Sequence, residues 1–340
     1  MDIKTKSIFR YPQSSFTSIA LVAILSLTFY LRLLFFGKII DGDVGNMGYI
    51  GWRLAEGEVL MDLEGPGKPP LYPMLYAVFA WLFGPSVLGV KMFCAIFVLM
   101  AVIAIYLVGN KAYGKSVGLL AALFFGVFSS GPMVEGGTVN LETLMHLPLI
   151  LAVGFIIDGS TTGRLKWYLL AGFCGAMAAL VKHVGGIIFF AFLCSEIHKG
   201  WRMKQGLLRY FILGAGAIVP TIGILLFYAL HGYALHEIYD SILGSNFRYL
   251  QRGYEYRSIF FYFFSSVKTI LLENSLLWIG TIFSTTILVF IIVRGKSELT
   301  GRILIWWAFG LLVFCGFPEP SLPTISFKSL PLFLYWPPME

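Results

Sequence analysis

Two aspartates, Asp41 and Asp43, stand one residue apart directly after the first long apolar run of the chain. Carboxylates in this D-x-D spacing can bind a divalent cation through hard oxygen ligands, and either one can act as the general base towards an acceptor hydroxyl. The same pair could also simply mark the solvated end of the preceding helix. The neighbouring sequence has to decide between a catalytic and a structural role.

Other ionisable groups that could act with this pair lie at the ends of apolar segments. Lys68, in the sequence Lys-Pro-Pro, can hold a phosphate as a point charge or extend to a membrane interface. Glu142 follows a glycine-containing turn, in which Asn140 can cap the next helix. Lys182 and His183 end a later apolar run, and ionisable groups so close to a membrane segment are functional-site hypotheses by default. We expect His183 to pack or to bind a loop carbonyl rather than to catalyse.

A long polar segment, residues 231–257, interleaves arginine with tyrosine. Arginine and aromatic rings suit contacts with sugars and phosphates, and they equally suit an aromatic belt at a membrane interface. We predict that this segment covers the substrate through Arg248, Tyr249 and Arg252. Its two histidines are not spaced for a metal site, so a divalent metal remains only a hypothesis for the aspartate pair.

The elements that position these groups must be membrane helices. The chain has 340 residues, 58% of them hydrophobic and 13% charged, and an apolar run of about 20 residues crosses the hydrocarbon core. The first run, 16–36, is too long for a signal-peptide core and lacks a small-residue cleavage site. The four cysteines lie inside apolar runs, which favours core packing over disulfides or zinc.

The apolar runs predict an all-α polytopic protein with about nine spanning helices. Two apolar stretches are expected to lie in or re-enter the interface, namely 71–84, which is short and follows two prolines, and 258–274. The predicted spans are 16–36, 86–108, 117–131, 141–157, 166–182, 184–197, 208–230, 275–293 and 302–317.

The basic residues indicate the orientation of these helices. The loops predicted to be cytoplasmic hold 14 of the 25 Lys and Arg residues, as the positive-inside rule requires; these loops are 1–15, 109–116, 158–166, 198–209 and 294–302. The net charge of +7 therefore requires no nucleic-acid partner. Arg32 is expected to extend to the outer interface. Residues 37–70, 131–142 and 231–257 then share the extracytoplasmic side, where all groups able to do chemistry converge.

The first outer loop resembles the opening of the GT-C glycosyltransferases. An acid at the outer end of the first helix is followed by a short helix ending in Gly57, then by Asp62, and then by Lys68-Pro-Pro-Leu-Tyr. The likeness is strongest to the dolichyl-phosphate-mannose–protein mannosyltransferase-like branch, which includes the lipid A aminoarabinose transferases and Rgt-type sugar transferases. It covers roughly residues 1–200. The chain departs from the family pattern at Val44, because the family usually has an acid directly after the one at Asp43.

The resemblance implies a glycosyltransferase of the cell envelope, with a polyprenyl-phosphate sugar as donor and a glycan, lipid or protein hydroxyl as acceptor. Asp43 would be the base, with Asp41 as its substitute, and Glu142 the second acid. The donor phosphate would be bound by three cations, Lys68, Lys182 and Arg53. The substrate would be contacted by four residues, Asp62, Arg248, Tyr249 and Arg252. The active site would lie on the extracytoplasmic face of the cell membrane.

Residues 1–317 are expected to form one transmembrane domain, in which the first outer loop, 37–85, carries the catalytic acids. Residues 318–340 contain six prolines, which prevent another helix. We expect either an irregular tail or, in preference, a truncated or frame-shifted end. Two other functions remain open. A transporter or lipid flippase would show repeats and midplane charges, and a truncated relative would bind donor without turnover.

Overall fold

The computed structural model describes residues 15–37, 42–59, 69–131, 140–198 and 203–240, together with residues 244, 286 and 301–303. Throughout these residues the regular structure is helical, which confirms the predicted all-α class. The helices are α1 (Ser15–Leu33), α2 (Gly42–Ala55), α3 (Leu71–Phe83), α4 (Val87–Tyr113), α5 (Lys115–Phe128), α6 (Leu141–Thr162), α7 (Leu165–Val181), α8 (Ile187–His198), α9 (Met203–Leu230) and α10 (Leu235–Tyr239).

Four of these helices are long and apolar enough to cross a membrane, by length and composition: α1, α4, α6 and Gln205–Leu230 of α9. Helices α3, α5, α7 and α8 are apolar but shorter. The predicted spans from 16–36 to 208–230 each correspond to one helix, so the count of about nine is confirmed only in part. Span 275–293, nearly all of 302–317, the interfacial stretch 258–274 and the tail 318–340 lie outside the described residues.

Glycines allow the central helices to approach closely. A side chain at Gly172 of α7 would come within 1.8 Å of the Leu213 carbonyl oxygen in α9, and one at Gly216 of α9 within 1.9 Å of the Leu169 carbonyl oxygen. Helix α7 thereby packs on α9, while its other side packs on α6, which in turn packs on α4. Helices α1 and α5 complete this described bundle against α4.

Buried cations join the helix ends at one end of the bundle. The Lys91 ammonium of α4 donates to the carbonyl oxygens of Phe35 and Phe36, both at 3.0 Å, just after α1. The Arg32 guanidinium of α1 donates to the Ser129 carbonyl oxygen at 2.7 Å, just after α5. Each cation meets carbonyl groups at the end of a helix, where the helix dipole is negative. We call this end, where α1 and α5 finish and α4 begins, the site end.

The expectation that Arg32 reaches the interface is wrong. Only 4% of Arg32 is exposed, and besides Ser129 its guanidinium donates to the Ser130 hydroxyl at 3.2 Å and the Cys94 sulfur at 3.6 Å. An inward orientation is favourable because α5 ends beside it and presents acceptors that would otherwise be buried without donors.

At the opposite end, the helices extend further than the hydropathy pattern predicts. Helix α4 continues to Tyr113 and α6 to Thr162, so the expected loops 109–116 and 158–166 are largely helical. Lys111 of α4 and Asp158 of α6, both assigned to loops by the sequence, form a buried ion pair. Their mutual neutralisation allows both charges to lie inside the bundle.

Candidate functional site

Helix α2 carries the candidate base in its first turn, at Asp43. The side chain of Asp43, and all of Asp41, lie outside the described residues. The rest of the helix is firmly seated, because Val44, Met47 and Ile50 repeat every three residues and are at most 2% exposed. This buried stripe packs on α3, so the backbone position of Asp43 is set by the α2–α3 contact.

A glycine permits the close approach of α2 and α3. A Cβ atom at Gly51 would lie 2.4 Å from the Tyr76 Cβ and 2.9 Å from the Ala77 backbone nitrogen. Tyr76 is 1% exposed and faces Tyr72 edge-on, with 5.2 Å between ring centroids. The buried aromatic pair on which α2 packs, Tyr72 and Tyr76, therefore lies in the segment that directly follows Lys68-Pro-Pro.

The predicted short helix does end at a glycine. Gly57 has a φ of +93°, and the Glu58 amide donates to the Arg53 carbonyl at 2.9 Å while the Gly57 amide donates to the Leu54 carbonyl at 3.0 Å. These two bonds form a Schellman motif, which glycine favours because it has no Cβ to strain the left-handed conformation. The direction in which the chain leaves α2 is thus fixed by this motif.

Arg53 is engaged in ion pairs within its own turn. Its guanidinium donates to Glu56 at 2.9 Å and to Glu58, also at 2.9 Å through Nε. The hydrogen bond that Arg53 donates to the Glu58 carboxylate raises the pKa of Arg53. The glutamates are exposed, so this is a surface cluster. Binding of the donor phosphate by Arg53 stays a prediction, and it would require exchange of these partners.

The other candidate acid begins α6. Asn140 caps this helix, as its sequence position predicted: its Oδ1 accepts from the Thr143 hydroxyl at 2.8 Å and from the Thr143 amide at 3.4 Å. The cap places Glu142 in the first turn, where the helix dipole favours a negative charge. Glu142 is 7% exposed.

Lys182 follows the last residue of α7, and its ammonium donates to the Glu142 carboxylate. The two side chains are only 13% and 9% exposed, so this is a largely buried ion pair. A cation at the end of α7 and an anion at the start of α6 each also interact favourably with the dipole of their own helix. The structure therefore brings together two residues to which the sequence assigned separate roles.

Sequence reasoning missed His146, which lies one turn after Glu142 on the same face of α6. The imidazole packs edge-on against Phe125, with 5.3 Å between ring centroids, and it interacts electrostatically with Arg32. The signal was present as the four-residue spacing from Glu142, because residues i and i+4 are neighbours on a helix surface. His146 therefore lies one helical turn from Glu142 and within electrostatic range of the buried Arg32.

A cavity of about 240 Å³ lies between the end of α2, α3 and the end of α9, with Val59, Met74 and Phe227 among its apolar lining residues and His231 at its edge. The Tyr233 hydroxyl donates to the Val59 carbonyl at 2.9 Å. This bond ties the segment after α9 to the segment after α2, so the start of the predicted substrate-covering segment does lie beside the first loop.

The remaining candidates lie outside the described residues: Asp62, Lys68, Arg248, Tyr249 and Arg252. In the part of the chain that the structure describes, there is no group of three or more His, Cys, Asp or Glu residues suited to a metal ion. The described site therefore consists of the Glu142–Lys182 pair, His146, Arg32 and the helix that carries Asp43.

Comparison with known proteins gives matches in both sequence and fold. Residues 67–222 match the family model of the dolichyl-phosphate-mannose-protein mannosyltransferases. The fold matches ArnT from Cupriavidus metallidurans bound to undecaprenyl phosphate, with a TM-score of 0.69 and 17% identity over 95% of this chain. It also matches the oligosaccharyltransferase of Archaeoglobus fulgidus, with a TM-score of 0.57 and 12% identity over 93% of this chain.

The extent of these matches is limited. This chain spans about 60% of the length of ArnT and 48% of that of the oligosaccharyltransferase. No curated protein sequence matches it significantly. The structural matches confirm the GT-C fold that the first outer loop predicts, and the family model matches less than half of the chain. Together with the apolar helices, they identify an integral multi-pass membrane protein.

Proposed function

We propose that this mannosyltransferase-like chain of GT-C fold is a membrane glycosyltransferase that moves a sugar from a polyprenyl-phosphate donor to a hydroxyl acceptor. The observation that carries the proposal is the Glu142–Lys182 ion pair, because it places a cation suited to phosphate and an acid suited to a hydroxyl side by side. The names of the matched proteins support the donor class: ArnT was solved with undecaprenyl phosphate, and AglB of Archaeoglobus fulgidus with dolichol-phosphate.

In the proposed reaction, the acceptor hydroxyl oxygen attacks the anomeric carbon of the donor sugar. A new carbon–oxygen bond forms there while the bond to the phosphate oxygen breaks, and the polyprenyl phosphate leaves with the bonding electrons. Asp43 takes the hydroxyl proton as general base, and Asp41 is the alternative base. A carboxylate in the first turn of α2 suits this role because the packing of α2 on α3 fixes its backbone position.

Lys182, with Lys68, would stabilise the negative charge that develops on the leaving phosphate. Glu142 holds the Lys182 ammonium in place before the donor arrives, so little reorganisation is needed during the reaction. Arg53, Asp62, Arg248, Tyr249 and Arg252 are proposed contacts to donor or acceptor. A divalent metal, if one is required, would be bound by the aspartate pair through hard oxygen ligands.

The location of the site follows the charge pattern. Lys111, Lys115, Arg164, Lys166 and Arg209 lie on helices or turns at the far end of the bundle from Glu142. The positive-inside rule therefore favours an extracytoplasmic site in the cell membrane. The acceptor would be a glycan, lipid or protein of the cell envelope. No nucleic-acid partner is implied.

The test is sugar transfer in membranes that contain the full chain and a polyprenyl-phosphate donor with a radiolabelled sugar. Wild type should transfer label to an acceptor, and Asp43→Asn should lose at least about 100-fold in rate, because general-base catalysis contributes factors of this size. Tyr49→Phe is the matched control: it changes an exposed side chain of the same helix and should transfer normally.

Equal transfer by Asp43→Asn and wild type would remove Asp43 from its role and favour Asp41 or Glu142. Donor that crosses the bilayer without transfer to any acceptor would overturn the glycosyltransferase in favour of a flippase. Binding of donor with neither transfer nor crossing would favour a non-catalytic relative.

A further inference from the structure

A second ionic cluster lies at the end of the bundle opposite the proposed active site. The Arg209 guanidinium of α9 lies 3.4 Å from the Glu196 carboxylate of α8 and 5.8 Å from the ring centroid of Tyr168, near the start of α7. Arg302, 8% exposed, is attracted electrostatically to the same glutamate. We call Glu196, Arg209, Arg302 and Tyr168, with Ser195, the far-end cluster.

The far-end cluster carries an excess of positive charge. Two guanidinium groups share one carboxylate, although Glu196 and Arg302 are less than 10% exposed. In sequence, the connection from α8 into α9 adds Lys199, Arg202 and Lys204 and contains no acid between Glu196 and Arg209. A basic segment directly before a membrane-spanning helix attracts the anionic lipids of the adjoining leaflet.

Buried hydroxyl groups in the far-end cluster indicate what kind of group would bind there. The Ser195 and Tyr168 side chains are 0% exposed, and neither hydroxyl has a hydrogen-bond partner in the part of the chain that the structure describes. Tyr168 contacts Phe192 at 5.6 Å between ring centroids, and Ser195 lies one turn further along α8 on that face. Buried hydroxyls are normally hydrogen-bonded, and a phosphate oxygen accepts bonds from both hydroxyl and guanidinium donors.

The surface beside the cluster suits a lipid rather than a soluble anion. Ile197 follows Glu196 in α8, and Leu208 and Phe211 lie on either side of Arg209 in α9. These three side chains are 51%, 47% and 69% exposed. A free phosphate gains nothing from apolar side chains, whereas the acyl chains of a phospholipid would cover them. Charge, hydroxyl donors and apolar flank together match one molecule with an anionic headgroup and a hydrocarbon tail.

We propose that the far-end cluster binds the phosphate of an anionic phospholipid from the leaflet opposite the active site. Arg209 and Arg302 contact the phosphate, with Ser195 and Tyr168 as hydroxyl donors, and the acyl chains lie against α8 and α9. The lipid would join α7, α8 and α9 to the segment that carries Arg302. It is neither donor nor acceptor, so the proposal stands independently of the glycosyltransferase activity.

The experiment uses the full chain purified in detergent and returned to nanodiscs of phosphatidylcholine, with or without phosphatidylglycerol. Phosphatidylglycerol should raise the unfolding temperature of the wild type and remain bound in native mass spectra. Arg209→Gln should lose most of both effects, and Ser195→Ala should weaken them while leaving the charge intact. Lys166→Gln, which removes an exposed cation at the same end, should respond as wild type does.

Three results would overturn the proposal. Equal lipid retention and equal thermal stabilisation in wild type, Arg209→Gln and Ser195→Ala would show that the cluster does not bind the headgroup. An equal loss in Lys166→Gln would show that only net charge matters. Inorganic phosphate that stabilises the protein as well as phosphatidylglycerol does would replace the lipid by a soluble anion. If Arg209→Gln does not fold, Ser195→Ala and Arg209→Lys still give the comparison.

Discussion

Lys182 donates to Glu142 across forty residues of sequence, and so binds the end of α7 to the start of α6. A buried ion pair gives little net stability compared with apolar residues of the same size, but removal of one partner leaves a buried charge without compensation. The pair is therefore weak evidence for stability, and it is consistent with the proposed role of Lys182 in binding phosphate.

Lys182→Met should lower the free energy of unfolding by about 3 kcal/mol, because Glu142 remains buried as an unpaired carboxylate. Adding Glu142→Gln to this variant should restore part of that loss. Unfolding of wild type, both single variants and the double variant in detergent measures the coupling between the residues. Strictly additive losses would contradict the ion pair.

Arg32→Met should destabilise the protein by about 2 kcal/mol, the size of hydrogen bonds to a charged group. The variant leaves the Ser129 carbonyl and the Ser130 hydroxyl at the end of α5 without their donor. Arg53→Met is the control, since it removes an arginine whose ion pairs are exposed and should change the unfolding temperature much less. Similar shifts for both variants would argue against the buried position of Arg32.

Gly51→Ala should separate α2 from α3 and reduce both stability and sugar transfer, since the added methyl group would overlap Tyr76. Gly48→Ala, in the same helix, would meet Tyr76 only at 3.9 Å. It should be neutral or should stabilise α2 by up to about 1 kcal/mol through helix propensity. Measurements of unfolding and of sugar transfer for both variants test the close packing of α2 on α3. Normal stability and transfer with alanine at position 51 would contradict that packing.

Gly216→Ala should push α7 and α9 apart, because its Cβ would lie 1.9 Å from the Leu169 carbonyl oxygen. Gly214→Ala is the matched substitution two residues earlier, where a Cβ meets nothing within 4 Å. The unfolding temperature should fall for the first variant and stay or rise for the second. The reverse order would mean that the two helices do not approach at Gly216.

The features that sequence predicted well are local or depend on membrane topology. Asn140 as a cap and Gly57 as a helix end require only neighbouring residues, and the placement of Glu142 and Lys182 at one end follows from counting spans. Their direct contact was not predictable, because hydropathy locates a residue along the membrane normal but does not say which helices are neighbours.

The errors have the same origin. Arg32 and Lys111 were assigned to an interface and a loop because an unpaired charge inside a membrane domain is costly. Each is buried beside a partner from a distant helix: the Ser129 carbonyl for Arg32, and Asp158 for Lys111. A rule that averages hydrophobicity over a window has no information on such partners, so it ends helices too early.

An acid near each end of α6 forms an ion pair with a lysine from a neighbouring helix. Glu142 pairs with Lys182 at the end of α7, and Asp158 pairs with Lys111 of α4. A slide of α6 by one helical turn, about 5.4 Å, would break both pairs at once and expose four charges to apolar surroundings. The depth of Glu142 in the bilayer is therefore set in part by Asp158, at the other end of the same helix. We therefore expect α6 to keep its position, and any motion that admits substrate to the proposed site to occur in the helices around it.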